Sequence, residues 1–313
     1  MKVGLIGAGG WGKNLARVLA ELGALGGIAD LSPEAREELR QRYPGVAIHT
    51  DHRALLAAEV PAVAIATPAA THFALAREAL KAGKHVFVEK PLALRREEAA
   101  ELADLADRAG RILMVGHLLL YQPAARWIGE FLRSGGVGSV WSLHQERLNL
   151  GTVRTVENAL WSLGVHDVAV LLHLVGERPT MVKCVGQRAS PSGVEDDAYL
   201  HLGFPSQIQA HVHVSWLWPE KRRRLTVVGS EAMLVYDELA QEVTLHRKRI
   251  GEDLRPADKG TEIVFQGAAE PLRLEMEEFL SCIRDGRRPL SDGRRAVEVV
   301  GVLEEASRQL GGR

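Results

Sequence analysis

The chain has 313 residues, of which 46% are hydrophobic and 25% charged, a composition typical of a globular protein with room for two domains. Its formal net charge of −1 excludes an overall field that would attract nucleic acid or anionic membranes. The sequence contains no run of about 18 apolar residues that could span a membrane. Its two cysteines, Cys184 and Cys282, are isolated and form no disulfide or zinc-binding pattern, so we expect a cytoplasmic protein.

The first predicted elements are a short buried strand, residues 3–6, and an amphipathic helix that follows it directly. Between them lies a loop with G-x-G-x-x-G spacing, formed by Gly7, Ala8, Gly9, Gly10, Trp11 and Gly12. In dinucleotide-binding loops the first glycine permits a tight turn, the second lets a pyrophosphate approach the backbone, and the third lets the helix pack closely. The N-terminus of the helix then offers unpaired N–H groups to the diphosphate, so the loop predicts a dinucleotide site.

A second apolar run, residues 24–29, ends in Asp30. An acidic residue at this distance from the loop can accept both ribose hydroxyls of the adenosine half and repel a 2′-phosphate. Leu31, Ser32 and Pro33 follow, so no lysine or arginine stands directly behind the acid. The sequence therefore predicts NAD rather than NADP as the cofactor.

The remaining elements divide the chain into two parts. Strands and helices alternate up to residue 118, which predicts a doubly wound parallel α/β sheet in a nucleotide-binding domain over 1–118. After it we expect a helix at 123–133, a strand at 140–148, a helix within 158–175, strands over 179–246, a loop at 250–261, and helices at 272–284 and 294–310. Consecutive strands indicate a mostly antiparallel sheet, so residues 119–313 are predicted to form an α+β domain for substrate binding and oligomerisation.

Ligands of open parallel sheets bind beyond the carboxyl ends of the strands. The residues predicted to follow strands are Gly7, Asp30, Thr67-Pro68, Glu89-Lys90-Pro91 and Gly116-His117. At such a position the Lys90 ammonium could hydrogen-bond an alcohol during hydride transfer, or it could simply pair with Glu89. His166 lies off the apolar stripe of its helix; its imidazole could take a hydroxyl proton, or it could be a solvated or capping histidine.

Several motifs resemble one family of oxidoreductases. They are the glycine loop, Ala66-Thr67-Pro68 with His72, residues 82–91 ending in Glu89-Lys90-Pro91, Val115-Gly116-His117, residues 164–167 and Val227-Val228-Gly229. In this combination they are similar to the glucose–fructose oxidoreductase / inositol dehydrogenase / MocA family. The resemblance implies a Rossmann domain, a second domain with a large antiparallel sheet, and an NAD(P)-dependent oxidoreductase that acts on a sugar or cyclitol.

The resemblance also implies roles for individual residues. The catalytic lysine and histidine of the family fall on Lys90 and His166. The cofactor contacts fall on Gly7, Gly9, Gly10, Trp11, Gly12, Asp30, Thr67, Pro68, His72, Glu89 and Lys90. Relatives often carry acidic residues at the positions of Ser162 and Ala169, and their absence here leaves open how His166 is oriented.

A narrower resemblance concerns the substrate. Residues 147–151 with Arg154, 158–161 and 215–219 are similar to the branch that oxidises nucleotide-linked sugars, which implies oxidation at C3 of a UDP-N-acetylhexosamine or its uronate. The expected substrate-binding residues are Tyr121, Arg147, Asn149, Arg154, Trp161 and Asp167. The two arginines could neutralise a diphosphate, or they could pair with Glu146 and Glu157. The aromatic rings offer flat faces to a sugar, and Asp167 could orient its neighbour His166.

Other interpretations stay open. The protein could be an inositol or free-sugar dehydrogenase, or an NAD-binding sensor or scaffold without catalysis.

His211 and His213 share a strand face, but no third ligand has suitable spacing, so we predict no metal site. The basic clusters 221–224 and 247–249 are expected to be solvated turns. More apolar strand positions exist than the helices can cover, which predicts a homodimer or homotetramer formed through the second-domain sheet.

Overall fold

The computed structural model describes residues 1–267 and 269–311, and the chain divides into two compact units. The first unit comprises Met1–Leu118 and Glu270–Val300. The second comprises Leu119–Ala269 and the part of the chain that begins at Gly301. The last two residues of the expected second domain, 312 and 313, lie outside the described residues. No helix among the described residues is long and apolar enough to cross a membrane.

The first unit is built on a six-stranded parallel sheet. Its strands are β1 (Val3–Ile6), β2 (Leu25–Ala29), β3 (Ile48–His49), β4 (Ala62–Ile65), β5 (His85–Val88) and β6 (Leu113–Val115). Its first helices are α1 (Gly12–Glu21), α2 (Pro33–Arg42), α3 (His52–Ala57), α4 (His72–Lys81) and α5 (Arg96–Ala109). The strand order β3-β2-β1-β4-β5-β6 is that of the doubly wound fold predicted from the alternation, and it brings all carboxyl ends to one edge.

The second unit is built on an eight-stranded sheet. Its strands are β7 (Val140–Leu150), β8 (Met181–Gln187), β9 (Asp197–Gly203), β10 (Gln209–Ser215), β11 (Leu217–Gly229), β12 (Met233–Asp237), β13 (Glu242–Ile250) and β14 (Pro256–Gln266). The strand order is β14-β13-β12-β11-β7-β10-β9-β8, and β7 with β10 is a parallel pair in an otherwise antiparallel sheet. The unit also contains α6 (Pro123–Arg133) and α7 (Val165–Val175), and a π-helical turn, Leu160–Gly164, precedes α7.

Alternation along the strands separates the two faces of this sheet. In β10, Ala210, Val212 and Val214 are buried, whereas His211 and His213 between them are half-buried. The same period appears in β9, where Leu200 and Leu202 are buried. One face therefore carries the core of the unit, and the other presents polar and aromatic side chains.

The C-terminal part of the chain differs from the sequence-based expectation. The last helices are α8 (Pro271–Asp285) and α9 (Gly293–Leu310). We assigned both to the second domain, but α8 and the first residues of α9 belong to the first unit. The cause is apolar packing: Phe279 of α8 is fully buried and its ring lies 5.9 Å from that of Phe87 in β5. Later in α9, Ser307 accepts a 2.7 Å hydrogen bond from the indole of Trp161, within the second unit.

The prediction of a loop at 250–261 is also wrong in part. Residues from Pro256 onward form β14, which pairs with β13 in an antiparallel hairpin. The segment is polar because β14 is an edge strand with largely exposed side chains, so it lacks the alternating apolar positions by which strands are recognised.

Candidate functional site

Two positions of the glycine loop require glycine, one because of its backbone conformation and the other because of a close contact. Gly7 has φ = +87°, and a Cβ there would lie 2.7 Å from the Thr67 methyl group. A Cβ on Gly12 would overlap the carbonyl oxygen of Gly7, whereas a Cβ on Gly9 would meet nothing within 4 Å. The first and third glycines therefore allow the turn and the close helix contact, and the second leaves open space in front of the backbone.

A groove with a volume of about 900 Å³ runs along this edge of the first unit. It is lined by the glycine loop, Asp30, the Thr67-Pro68 turn and the start of α4. Asp30 is fixed at its rim, because its carboxylate accepts hydrogen bonds from the backbone N–H groups of Ala8 (2.6 Å) and Ser32 (2.8 Å). An open groove, a backbone accessible at Gly9 and a fixed acid fit a dinucleotide with free ribose hydroxyls.

Glu89 and Trp11 connect the end of β5 to the glycine loop. The indole N–H of Trp11 donates a 2.5 Å hydrogen bond to Glu89 Oε1. On its other side the carboxyl group packs against Gly116, where a Cβ would lie 2.9 Å from Oε2. Burial raises the pKa of Glu89 to about 7, although the Trp11 bond and the charge of Lys90 act in the opposite direction. This carboxyl group therefore changes charge near neutral pH.

Two buried groups lie near this strand end, and no role was predicted for either of them from the sequence. The ring nitrogens of His117 have no hydrogen-bond partner in the described part of the chain, and burial together with the charge of Lys90 lowers its pKa to about 3. Glu275 of α8 is also fully buried, and burial followed by the charge of Glu89 raises its pKa well above the ordinary value. The position of His117 after β6 was a usable signal; that of Glu275 within a C-terminal helix was not.

His72 is placed differently from the expectation that it contacts the cofactor. It is 1% exposed, and its ring nitrogens lie 2.7 Å from the carbonyl oxygen of Pro91 and 2.8 Å from that of Thr67. An imidazole with both nitrogens directed at backbone carbonyls has no polar atom left for a ligand. His72 therefore supports the turns beside the groove and is not itself a cofactor ligand.

In the second unit, His166 is the second residue of α7 and directly follows the π-helical turn. π-Helical turns are rare and frequently occur at functional sites, because the extra residue shifts the side chains that follow. Lys90 lies in the first unit and His166 in the second.

Arg147 and Asp167 form a buried ion pair, which contradicts the expectation that they bind substrate. Their side chains are 2% and 0% exposed. The guanidinium donates to Asp167 through Nε (3.0 Å) and Nη2 (2.8 Å), and Nη2 also donates to Glu238 Oε2 at 3.0 Å. Gln145 adds a 2.9 Å bond to the same aspartate. Burial opposes the charge on Arg147, but its carboxylate partners outweigh burial and raise its pKa.

The other expected substrate residues are divided between buried and accessible positions. Tyr121 is fully buried with the guanidinium of Arg126 5.4 Å from its ring centre, so its face is not open to a sugar as we expected. The indole N–H of Trp161 is bonded to Ser307 while its ring is half-buried. Asn149 is half-buried and Arg154 exposed, so these two polar side chains remain accessible. Within the described residues, no three His, Cys, Asp or Glu side chains are arranged to hold a metal ion.

Comparison with known proteins gives consistent matches over both units. Residues 1–117 match the model of the NAD-binding Rossmann-fold domain of the GFO/IDH/MocA oxidoreductase family, and residues 127–235 match that of its C-terminal domain. The UDP-N-acetylglucosamine 3-dehydrogenase of Acidithiobacillus ferrooxidans is 33% identical over 94% of this chain and 92% of its own length. A solved structure of that enzyme superimposes with a TM-score of 0.88 at 29% identity, covering 99% of this chain and 97% of the other. The inositol 2-dehydrogenase of Acidothermus cellulolyticus is 27% identical over 92% of this chain and 86% of its own.

Proposed function

The chain belongs to the GFO/IDH/MocA family of NAD-binding oxidoreductases, and from this premise we propose that it oxidises C3 of a UDP-N-acetylhexosamine or its uronate with NAD. The observation that carries the proposal is the turn after β5. It places Lys90 at the carboxyl edge of the parallel sheet, directly after Glu89, which is bonded to the glycine loop. In an open parallel sheet this edge is where the reactive end of a bound dinucleotide lies.

The cofactor would be held by the glycine loop, Asp30 and the Thr67-Pro68 turn, and when bound it supplies the carbon that accepts the hydride. The Lys90 ammonium donates a hydrogen bond to the substrate oxygen as negative charge develops on it during oxidation. The His166 imidazole accepts the hydroxyl proton from the same oxygen. Oxidation of one carbinol removes one proton, which His166 takes up, and one hydride, for which the bound cofactor would supply the accepting carbon.

The substrate class rests on a relative that matches 94% of this chain and on two accessible side chains. The relative is a UDP-N-acetylglucosamine 3-dehydrogenase. The exposed Arg154 is suited to the substrate diphosphate, and the half-buried Asn149 is suited to a hydroxyl or acetamido group. Arg147 and Tyr121 are omitted from this set because both are buried.

The test is reduction of NAD, followed at 340 nm, with UDP-N-acetylglucosamine, its uronate, free N-acetylglucosamine and myo-inositol. We expect turnover with a UDP-sugar and a loss of about 10³-fold in Lys90→Met, because one electrostatic stabiliser of the transition state is removed. The matched control is Lys84→Met, which removes a lysine bonded to the Ala58 carbonyl before the start of β5. Turnover by Lys90→Met equal to that of Lys84→Met would contradict the proposal.

An inositol or free-sugar dehydrogenase is the alternative, and the burial of Arg147 favours it because one expected diphosphate ligand is lost. Turnover of myo-inositol or of a free sugar without turnover of UDP-sugars would establish it. Binding of NAD in calorimetry without turnover of any carbinol would instead indicate a non-catalytic NAD-binding protein.

The second-unit sheet exposes Tyr199, Val185 and Met181 on the face opposite its core, and we propose that a second copy covers this face in a homodimer or homotetramer. Light scattering at working concentration tests it, and a monomeric mass would contradict it. The thiols of Cys184 and Cys282 are both buried and unpaired, which supports a cytoplasmic location.

A further inference from the structure

His72, the first residue of α4, lies between two strand ends of the first unit. One ring nitrogen is 2.8 Å from the carbonyl oxygen of Thr67, which follows β4, and the other is 2.7 Å from that of Pro91, which follows β5. The side chain is 1% exposed, so water does not compete for either contact. The imidazole thus connects two adjacent strands at the edge where they stop pairing with each other.

This connection bears on Lys90 because it fixes the residue that follows it. On the preceding side, the N–H of Glu89 bonds to the carbonyl oxygen of Ile65 at 2.9 Å, and the Glu89 side chain is bonded to Trp11. On the following side, the carbonyl of Pro91 is the acceptor for His72. The backbone of Lys90 is therefore attached to the rest of the unit immediately before and immediately after the lysine.

We propose that His72 is a positioning residue for Lys90, which it holds at the carboxyl edge of the sheet through its contacts with the carbonyl groups of Thr67 and Pro91. The inference rests on the catalytic role proposed for Lys90. It assigns to His72 a role in chemistry rather than in cofactor affinity, since the imidazole has no polar atom left to contact a dinucleotide.

The number of protons on His72 sets how many of the two bonds exist. Carbonyl oxygens only accept, and a neutral imidazole carries one N–H, so the neutral ring holds one turn and the imidazolium holds both. Burial lowers the pKa of His72, the charge of Lys90 adds to this effect, and the two carbonyls oppose it.

The first measurement is steady-state kinetics of His72→Phe and His72→Gln beside the parent. Phenylalanine keeps an aromatic ring but has neither ring nitrogen, and glutamine has an amide group with two N–H donors. We expect kcat to fall by about 10- to 100-fold in His72→Phe, with partial recovery in His72→Gln and with the Kd for NAD within about twofold of the parent. The matched control, His85→Phe, removes a histidine at the opposite end of β5 and should leave kcat unchanged.

The second measurement does not depend on turnover. The lysines are reductively methylated with ¹³C-formaldehyde, and the Lys90 resonance is assigned by its absence in Lys90→Met. We expect this resonance to shift in His72→Phe and to stay in place in His85→Phe. An unchanged resonance, or a loss of NAD affinity at constant kcat, would overturn the proposal. If Lys90→Met turns over normally, the proposed function fails, while the resonance still decides whether His72 positions the lysine.

Discussion

Replacing Arg147 by methionine should lower the free energy of unfolding of the second unit strongly and should change the affinity for substrate little. Methionine keeps most of the apolar stem but removes the donors to Asp167 and Glu238. Asp167 is 0% exposed and would stay in the core with Gln145 as its remaining donor. Hydrogen bonds to charged groups contribute about 1.5–3 kcal/mol each, and removing one partner of a buried pair costs about 3–5 kcal/mol. Glu238 adds little to this loss because it is partly exposed and Arg223 lies 4.0 Å away.

The assay is urea unfolding of Arg147→Met and of the double variant Arg147→Met/Asp167→Leu. We expect a loss of about 3–5 kcal/mol in the single variant and near-parental stability in the double, because replacing a whole buried pair by apolar side chains is often neutral. Burial already raises the pKa of Asp167 against the pull of Arg147, so the deficit of the single variant should shrink at low pH, where this acid becomes neutral. A single variant within about 1 kcal/mol of the parent, with a raised KM for the UDP-sugar, would refute this reasoning and restore Arg147 as a substrate ligand.

Three further outcomes are expected from the first unit. Glu89→Gln should gain stability relative to the parent as pH rises from about 4.5 to about 7, because over this range Glu89 of the parent ionises in the unfolded state but stays neutral in the folded state. Urea midpoints of both proteins at pH 5 and pH 7.5 measure this gain. The same difference between the two midpoints at both pH values would contradict the prediction. Asp30→Ala should raise the affinity for NADP relative to NAD by about tenfold, since the acid that repels a 2′-phosphate is removed; fluorescence titration with both cofactors decides. Phe279→Ala should cost about 3–5 kcal/mol in urea unfolding if α8 belongs to the first unit, and a negligible change would contradict its burial against Phe87.

The features that followed from the sequence are those set by neighbouring residues. Strand, glycine loop and helix lie within the first 21 residues, and the alternation of short apolar runs with helices is enough to indicate the parallel sheet. The positions of Lys90 and His117 at strand ends followed for the same reason. The family assignment drew on these local motifs, and the comparisons confirm it.

The features that the sequence did not indicate depend on residues far apart in the chain. Arg147 lies 20 positions from Asp167 and 91 from Glu238, so nothing near it showed that its charge is neutralised inside the protein. Glu146, the expected partner, instead pairs with Arg222 of β11. Likewise, the apolar stripe of α8 shows that the helix is buried but not which sheet buries it.

The division of the C-terminal sequence between the units has a consequence for biosynthesis. Each unit is completed by residues beyond Glu270: the first requires α8, and the second requires the later part of α9. A nascent chain that lacks α8 and α9 therefore lacks part of both units, and neither unit is complete before these two helices have left the ribosome. In many two-domain proteins the N-terminal domain folds while the rest of the chain is being synthesised. The first unit of this chain cannot complete its folding in this way, because it needs α8, which follows the second unit in the sequence. Ribosome-bound intermediates should accordingly remain sensitive to protease until α9 emerges.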